Sequence, residues 1–145
     1  MIALIWAFMV YYDNFSQSMW LYMALHGSYG CFWVLADLTF PNPGFARKVT
    51  FLSAALPTFV IIPPYYYGVY LIASRQAPQE VSPERLCVCI MMYVFGIVLM
   101  MGTDGQKYFT LREKKKLLND GWVKYSRNTN YVGEMLLYAS FALVT

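Results

Sequence analysis

The sequence predicts an all-α fold: a polytopic transmembrane helical bundle forming one integral-membrane domain over residues 1–145. Three observations predict it. Hydrophobic residues make up 59% of the chain and charged residues 13%, against roughly 45–50% and about 25% in soluble domains. The apolar residues fall in long runs parted by short polar breaks. Seven of the eleven basic residues (Lys107, Arg112, Lys114, Lys115, Lys116, Lys124 and Arg127) crowd into one segment, as in a loop on the positive side of a bilayer. With so few charges, lipid is the plausible solvent. About four spans are expected, with a partial fifth and a basic interfacial helix.

Residues 1–12 form the first apolar run. As a helix it reaches about 18 Å, less than the ~30 Å of a hydrocarbon core. The Asp13-Asn14-Phe15-Ser16 break follows, where Asn14 or Ser16 is placed to cap the next helix. Residues 18–38 are the second span. Its small residues, Gly27, Ser28 and Gly30, predict close approach of another helix. Pro41-Asn42-Pro43-Gly44 is a loop signal. Residues 50–74 carry no charge and are long enough to cross with tilt. Pro57 and the Pro63-Pro64 pair predict a kink or break within that span. Tyr65, Tyr66, Tyr67 and Tyr70 then suit an interfacial belt or a polar-edged cavity. Residues 75–85 are a loop and 86–101 the next span. Residues 106–122 read as a basic surface helix, with Tyr108, Phe109, Leu111, Leu117 and Leu118 available to lie on the membrane. Residues 135–145 begin a last apolar segment.

Basic residues orient the spans. The 105–127 segment and the 39–49 loop, with Arg47 and Lys48, fall on one side. The 75–85 loop, where Arg75 and Arg85 are offset by Glu80 and Glu84, falls on the other. The N-terminus is then inside.

Few polar residues carry chemistry. His26 is the single histidine; within a span it is a functional candidate or a neutral imidazole bonded to a neighbouring helix. Cys31, Cys87 and Cys89 sit in apolar runs and read as small buried hydrophobes. Cys87 and Cys89, two residues apart, face different ways on a helix, and no metal site is expected. No nucleic-acid partner is expected, because the basic run adjoins a bilayer. Asp37 and Asp104 read as helix-end carboxylates. Glu134 follows Gly133 at the start of an apolar run, where a helix dipole favours it. The amide of Asn130 can both donate and accept, and Arg127 and the lysines can neutralise phosphate. There is no glycine-rich dinucleotide fingerprint or P-loop, and no Ser-His-Asp set.

Asp104, Gln106-Lys107, the basic run, then Arg127-x-x-Asn130-Tyr131-x-Gly133-Glu134 resembles the C-terminal domain of the steroid 5α-reductase superfamily, over roughly the last 45 residues. Those are polytopic membrane enzymes that reduce a carbon–carbon double bond in a lipid with NADPH. The resemblance implies that Asn130 and Glu134 face the nicotinamide end of the cofactor. Asp104, Lys107 and Arg112 are the approximate counterparts of residues holding adenosine and phosphates, and Arg127 and Tyr131 match the motif. No catalytic residue is implied by name. The 25–30 run and Trp33 look like a reductase-like branch of the same group.

The chain also departs from the pattern. Asn128-Thr129 stands where many members have His-Pro. The Gln-Glu-x-Pro substrate motif is missing, and the family's closing helices would lie beyond Thr145. The expected function is therefore NADPH-dependent reduction of a lipid or sterol-like alkene, if active. The alternative is a non-catalytic subunit of a larger membrane complex, partnered by lipids and other membrane subunits. A third is an S-adenosylmethionine-dependent methyltransferase, whose Arg-x-x-x-Tyr-x-Gly corner is similar. The resemblance implies the endoplasmic reticulum; a mitochondrial or other organelle membrane is the alternative.

Overall fold

The computed structural model describes residues 1–42, 44, 48–113, 118–124 and 126–145, with backbone alone at 57 and 61–65. All regular structure among them is helical: α1 Ile2–Tyr11, α2 Gln17–Thr39, α3 Phe51–Tyr65, α4 Tyr67–Ala73, α5 Pro83–Glu113 and α6 Thr129–Ala142, with a 3-10 turn at Gly121–Val123. Among the described residues one helix, α5, is long and apolar enough to cross a membrane; α1 and residues 51–60 are shorter apolar helices.

Several expected boundaries move. The 50–74 run is two helices, parted at Tyr66 just past the Pro63-Pro64 pair. The largest correction concerns the expected surface helix over 106–122. Its first half is the end of α5, which runs unbroken through Gly102 and Gly105 to Glu113. Glycine costs a helix only about 1 kcal/mol, and no proline stands there to stop it. Lys114, Lys115, Lys116 and Leu117 lie outside the described residues, as does Arg47. α6 begins six residues before the expected 135, so Asn130, Tyr131 and Glu134 sit in its first turns. Proline at the first position of α5 and Ser82 before it make an ordinary helix start: the Ser82 Oγ accepts from the Arg85 N–H at 3.4 Å.

Two packing centres organise the chain. The first is the crossing of α5 and α6. A β-carbon on Gly96 would lie 2.8 Å from the Gly133 carbonyl oxygen, and one on Gly133 would lie 2.6 Å from that of Gly96. The two backbones touch, as small residues at a helix crossing allow. The second centre is aromatic. His26 is buried and stacks on Phe141, centroids 4.5 Å apart and planes 8° apart. Tyr22 lies 5.0 Å from the His26 ring, and Tyr29 lies 5.9 Å from Phe141. His26 is thus an aromatic core residue that ties α2 to α6. The predicted close approach on α2 is present: β-carbons on Gly27 and Gly30 would meet Ile2 and Met1 of the α1 segment.

A polar knot closes the far end. The buried Asn14 amide donates to the Ile72 and Ala73 carbonyls at 2.8 and 3.1 Å and to Gln79 at 2.6 Å. Its oxygen accepts from the Ser16 N–H, so Asn14 organises the start of α2, while Ser16 makes no side-chain cap bond. Of the cysteines only Cys89 is buried, with its Sγ donating to the Ser140 carbonyl at 3.2 Å; Cys31 and Cys87 are exposed. Those two face outward because the apolar helices carry apolar side chains on every side.

Candidate functional site

α5 has 31 residues, about 46 Å of helix against a hydrocarbon core of ~30 Å. Its apolar stretch ends near Met101. Asp104, Lys107, Tyr108 and Arg112 therefore stand on the part of α5 beyond its apolar stretch. They recur every three or four residues, so they share one face of the helix.

That face lines a cavity of about 620 Å³ between the ends of α2 and α5 and the start of α6. Trp33, Ala36, Phe40, Met100, Met101 and Leu111 supply apolar wall. Asp37, Asp104, Lys107, Arg112, Asn130 and Glu134 supply the polar groups, with the Tyr108 and Tyr131 rings between them. Of the residues singled out in the sequence, Asp104, Lys107, Arg112, Asn130, Tyr131 and Glu134 all line this one cavity. Arg127 does not: it is exposed, in the turn before α6.

Asn130 is the hub. It is buried, and its Oδ1 accepts from Lys107 Nζ at 3.3 Å. Its amide hydrogen-bonds the Asp104 carboxylate on the same helix as that lysine. Burial pushes the Asp104 carboxyl above its ordinary value, while the Lys107 charge and the Asn130 bond draw it back. Glu134 lies one turn along α6 from Asn130. At the outer end the Arg112 guanidinium sits 5.4 Å over the Tyr108 ring and donates to its hydroxyl at 3.2 Å. Phe40 lies 6.4 Å from Tyr108. Three carboxylates thus face two cations among the described lining residues.

Sequence reasoning missed the contribution of α2. Asp37 reads as a helix-end charge and Trp33 as part of a softer motif, yet both line the cavity. Their spacing of four, with Ala36 three residues after Trp33, was the available signal, since it puts all three on one face of α2, with Phe40 just past its end. Among the described residues no group of three or more His, Cys, Asp or Glu is placed to hold a metal ion.

Residues 47–145 match the family described as protein of unknown function (DUF1295). No curated protein and no solved structure matches the chain. The match covers more than half of the sequence, and the chain belongs to the DUF1295 family, which is related to steroid 5α-reductase-like proteins.

Proposed function

We propose that this DUF1295 chain is a polytopic, membrane-embedded reductase-like protein that uses NADPH to reduce a carbon–carbon double bond in a lipid or sterol-like substrate. The carrying observation is the convergence on one 620 Å³ cavity of six residues picked from sequence as cofactor contacts. They come from two helices and span thirty positions, so chain neighbourhood alone does not assemble them.

The donor set fits a dinucleotide. Lys107 and Arg112 would neutralise phosphate, and the Arg112–Tyr108–Phe40 group offers a flat face to a base. Asn130 would exchange its Lys107 bond to meet the carboxamide, beside Glu134. NADPH would supply the hydride when bound. The apolar wall of Trp33, Met100, Met101 and Leu111 would exclude water and receive an apolar substrate. Asp104, raised by burial, holds a proton to higher pH than a free carboxylate does.

Titration of the purified protein with NADPH tests the reading. Micromolar binding that weakens about tenfold, some 1.4 kcal/mol, on Asn130→Ala is expected; no binding, or binding indifferent to that change, overturns it. Two observations favour other readings. The excess of carboxylates over cations suits the positive sulfonium of S-adenosylmethionine, and binding of that cofactor in place of NADPH would select a methyltransferase. The open apolar face of α3, with Phe51 88% and Phe59 75% exposed, suits a subunit of a larger membrane complex. A solitary, stable species that oxidises NADPH would exclude that role.

A further inference from the structure

We propose a second binding site, for an anionic phospholipid, on the side of the α5–α6 pair that faces away from the cavity. A groove of about 680 Å³ lies there, lined by Leu99, Gln106, Trp122, Ser126, Thr129 and Val132, with Gly121 at its end. At 100° per residue, Leu99 and Gln106 point about 140–160° away from Asp104 and about 80–100° away from Lys107 on α5, and Val132 points about 160° away from Asn130 and Glu134 on α6. The two sites therefore share helices but no lining residue.

The groove is built around one side chain. The Gln106 amide donates to the Asp120 carbonyl at 3.0 Å, and its oxygen accepts from the Trp122 N–H at 2.8 Å. Gly121, at φ +58°, passes so close to Gln106 that a β-carbon would collide with its amide. The Trp122 ring is thereby pressed onto α5 at Gly102, where a β-carbon would lie 2.8 Å from it. Thr129 Oγ1 donates to the Trp122 carbonyl at 2.7 Å and fixes the other rim. Trp122 nevertheless remains 42% exposed and Val132 44% exposed.

Position and charge name the occupant. The Leu99 and Val132 wall belongs to the membrane-crossing stretch of α5 and to the α6 helix packed on it, so a chain lying there is in hydrocarbon. The rim, at Gln106 and Ser126, stands just past the end of the α5 apolar run, at headgroup level. Trp122 marks that level, as interfacial tryptophans do. Lys124 and Arg127, on either side of Ser126 in the sequence, are both exposed. Asp120, the one carboxylate of residues 118–130, is drawn toward Gln106, with its Oδ1 3.5 Å from the Gln106 amide. An acyl chain in an apolar slot with two cations at its polar end is the complement of an anionic lipid.

Native mass spectrometry of the full chain, released from nanodiscs of mixed phosphatidylglycerol and phosphatidylcholine of equal acyl length, tests this. Retention of phosphatidylglycerol over phosphatidylcholine is expected. The Lys124→Gln, Arg127→Gln double variant should lose roughly tenfold of that retention, the scale set by two juxtamembrane cations. Both positions are exposed, so folding should survive. Val132→Trp fills the slot, keeps the charges and should lower retention of both lipids. Lys107→Gln, in the cavity, should leave retention unchanged. Equal retention of the two lipids, an equal loss with Lys107→Gln, or displacement by water-soluble glycerophosphate would overturn the proposal. Failure of NADPH to bind would leave it standing.

Discussion

The two sides of the α5–α6 pair are built by the same two helices and differ in almost every other respect. One side is a cavity with three carboxylates, two cations and the buried Asn130 hub. The other is an open apolar groove whose polar groups, Gln106 and Thr129, are spent on backbone. Between them the two helices meet most closely at Gly96 and Gly133. Because those backbones touch, neither side can shift without moving the other. The geometry of both sides thus leans on two residues that have no side chain. The difference teaches where specificity lies: in helix phase, since a change of one residue in the register of α6 would carry Asn130 out of the cavity and Val132 toward it.

Breaking the comparison outright has the largest expected effect. Gly133→Val places a side chain 2.6 Å from the Gly96 carbonyl oxygen and 2.7 Å from the Met100 nitrogen. Both are backbone atoms and cannot yield, so the helices must part. A loss of about 3 kcal/mol, the upper range for overpacking, should appear as a lower melting temperature in detergent, with NADPH and lipid binding lost together. If either binding survives the change, the two sides are not coupled through this crossing.

A smaller change should separate the sides. Gln106→Ala removes the bonds to the Asp120 carbonyl and the Trp122 N–H, worth about 1 kcal/mol each. Residues 118–124 should detach from α5 and the groove should lose its end. Lipid retention should fall while NADPH affinity, set on the opposite face, stays within twofold or so, well under the tenfold of 1.4 kcal/mol. An equal loss of NADPH affinity would show that Trp122 and its loop support the cavity as well.

How much of this was legible in the sequence follows from the range of each signal. The helical class was legible, because apolar runs and proline positions are local. So was the Asp104-to-Glu134 cluster, because it rests on a spaced motif. The extent of α5 was not legible. Residues 106–113 are as polar as a surface helix, and only the unbroken helix, with Lys107 packed on Asn130 and Gln106 on Trp122, shows that they continue α5. The two faces of α6 were hidden for a related reason: Asn130 and Val132 are neighbours in sequence, and only their helical phase sends one to the cavity and the other to the groove. Arg127 illustrates the limit from the other direction. It belongs to the same short motif as Asn130 and Glu134, yet the turn ahead of α6 leaves it exposed and outside the cavity lining.

The smallest expected effect touches the charged side alone. Asp104 lies above its ordinary value, chiefly through burial, while the Lys107 charge and the Asn130 bond draw it back. A carboxyl raised in the folded state is protonated with little cost below its unfolded value. As pH rises through the folded value, the folded protein must hold an unfavourable charge that the unfolded chain exposes to water. Stability should therefore decline from the ordinary carboxylate range upward, through the raised value, and level off above it. Asp104→Asn removes this titrating group, so the decline should flatten. Melting temperatures across that interval measure it, with Gln106→Ala as the control that keeps the wild-type slope. An Asp104→Asn protein with an unchanged slope would mean that the Asp104 carboxylate is as well solvated in the fold as in the unfolded chain, leaving Lys107 and Arg112 to set the character of the charged side.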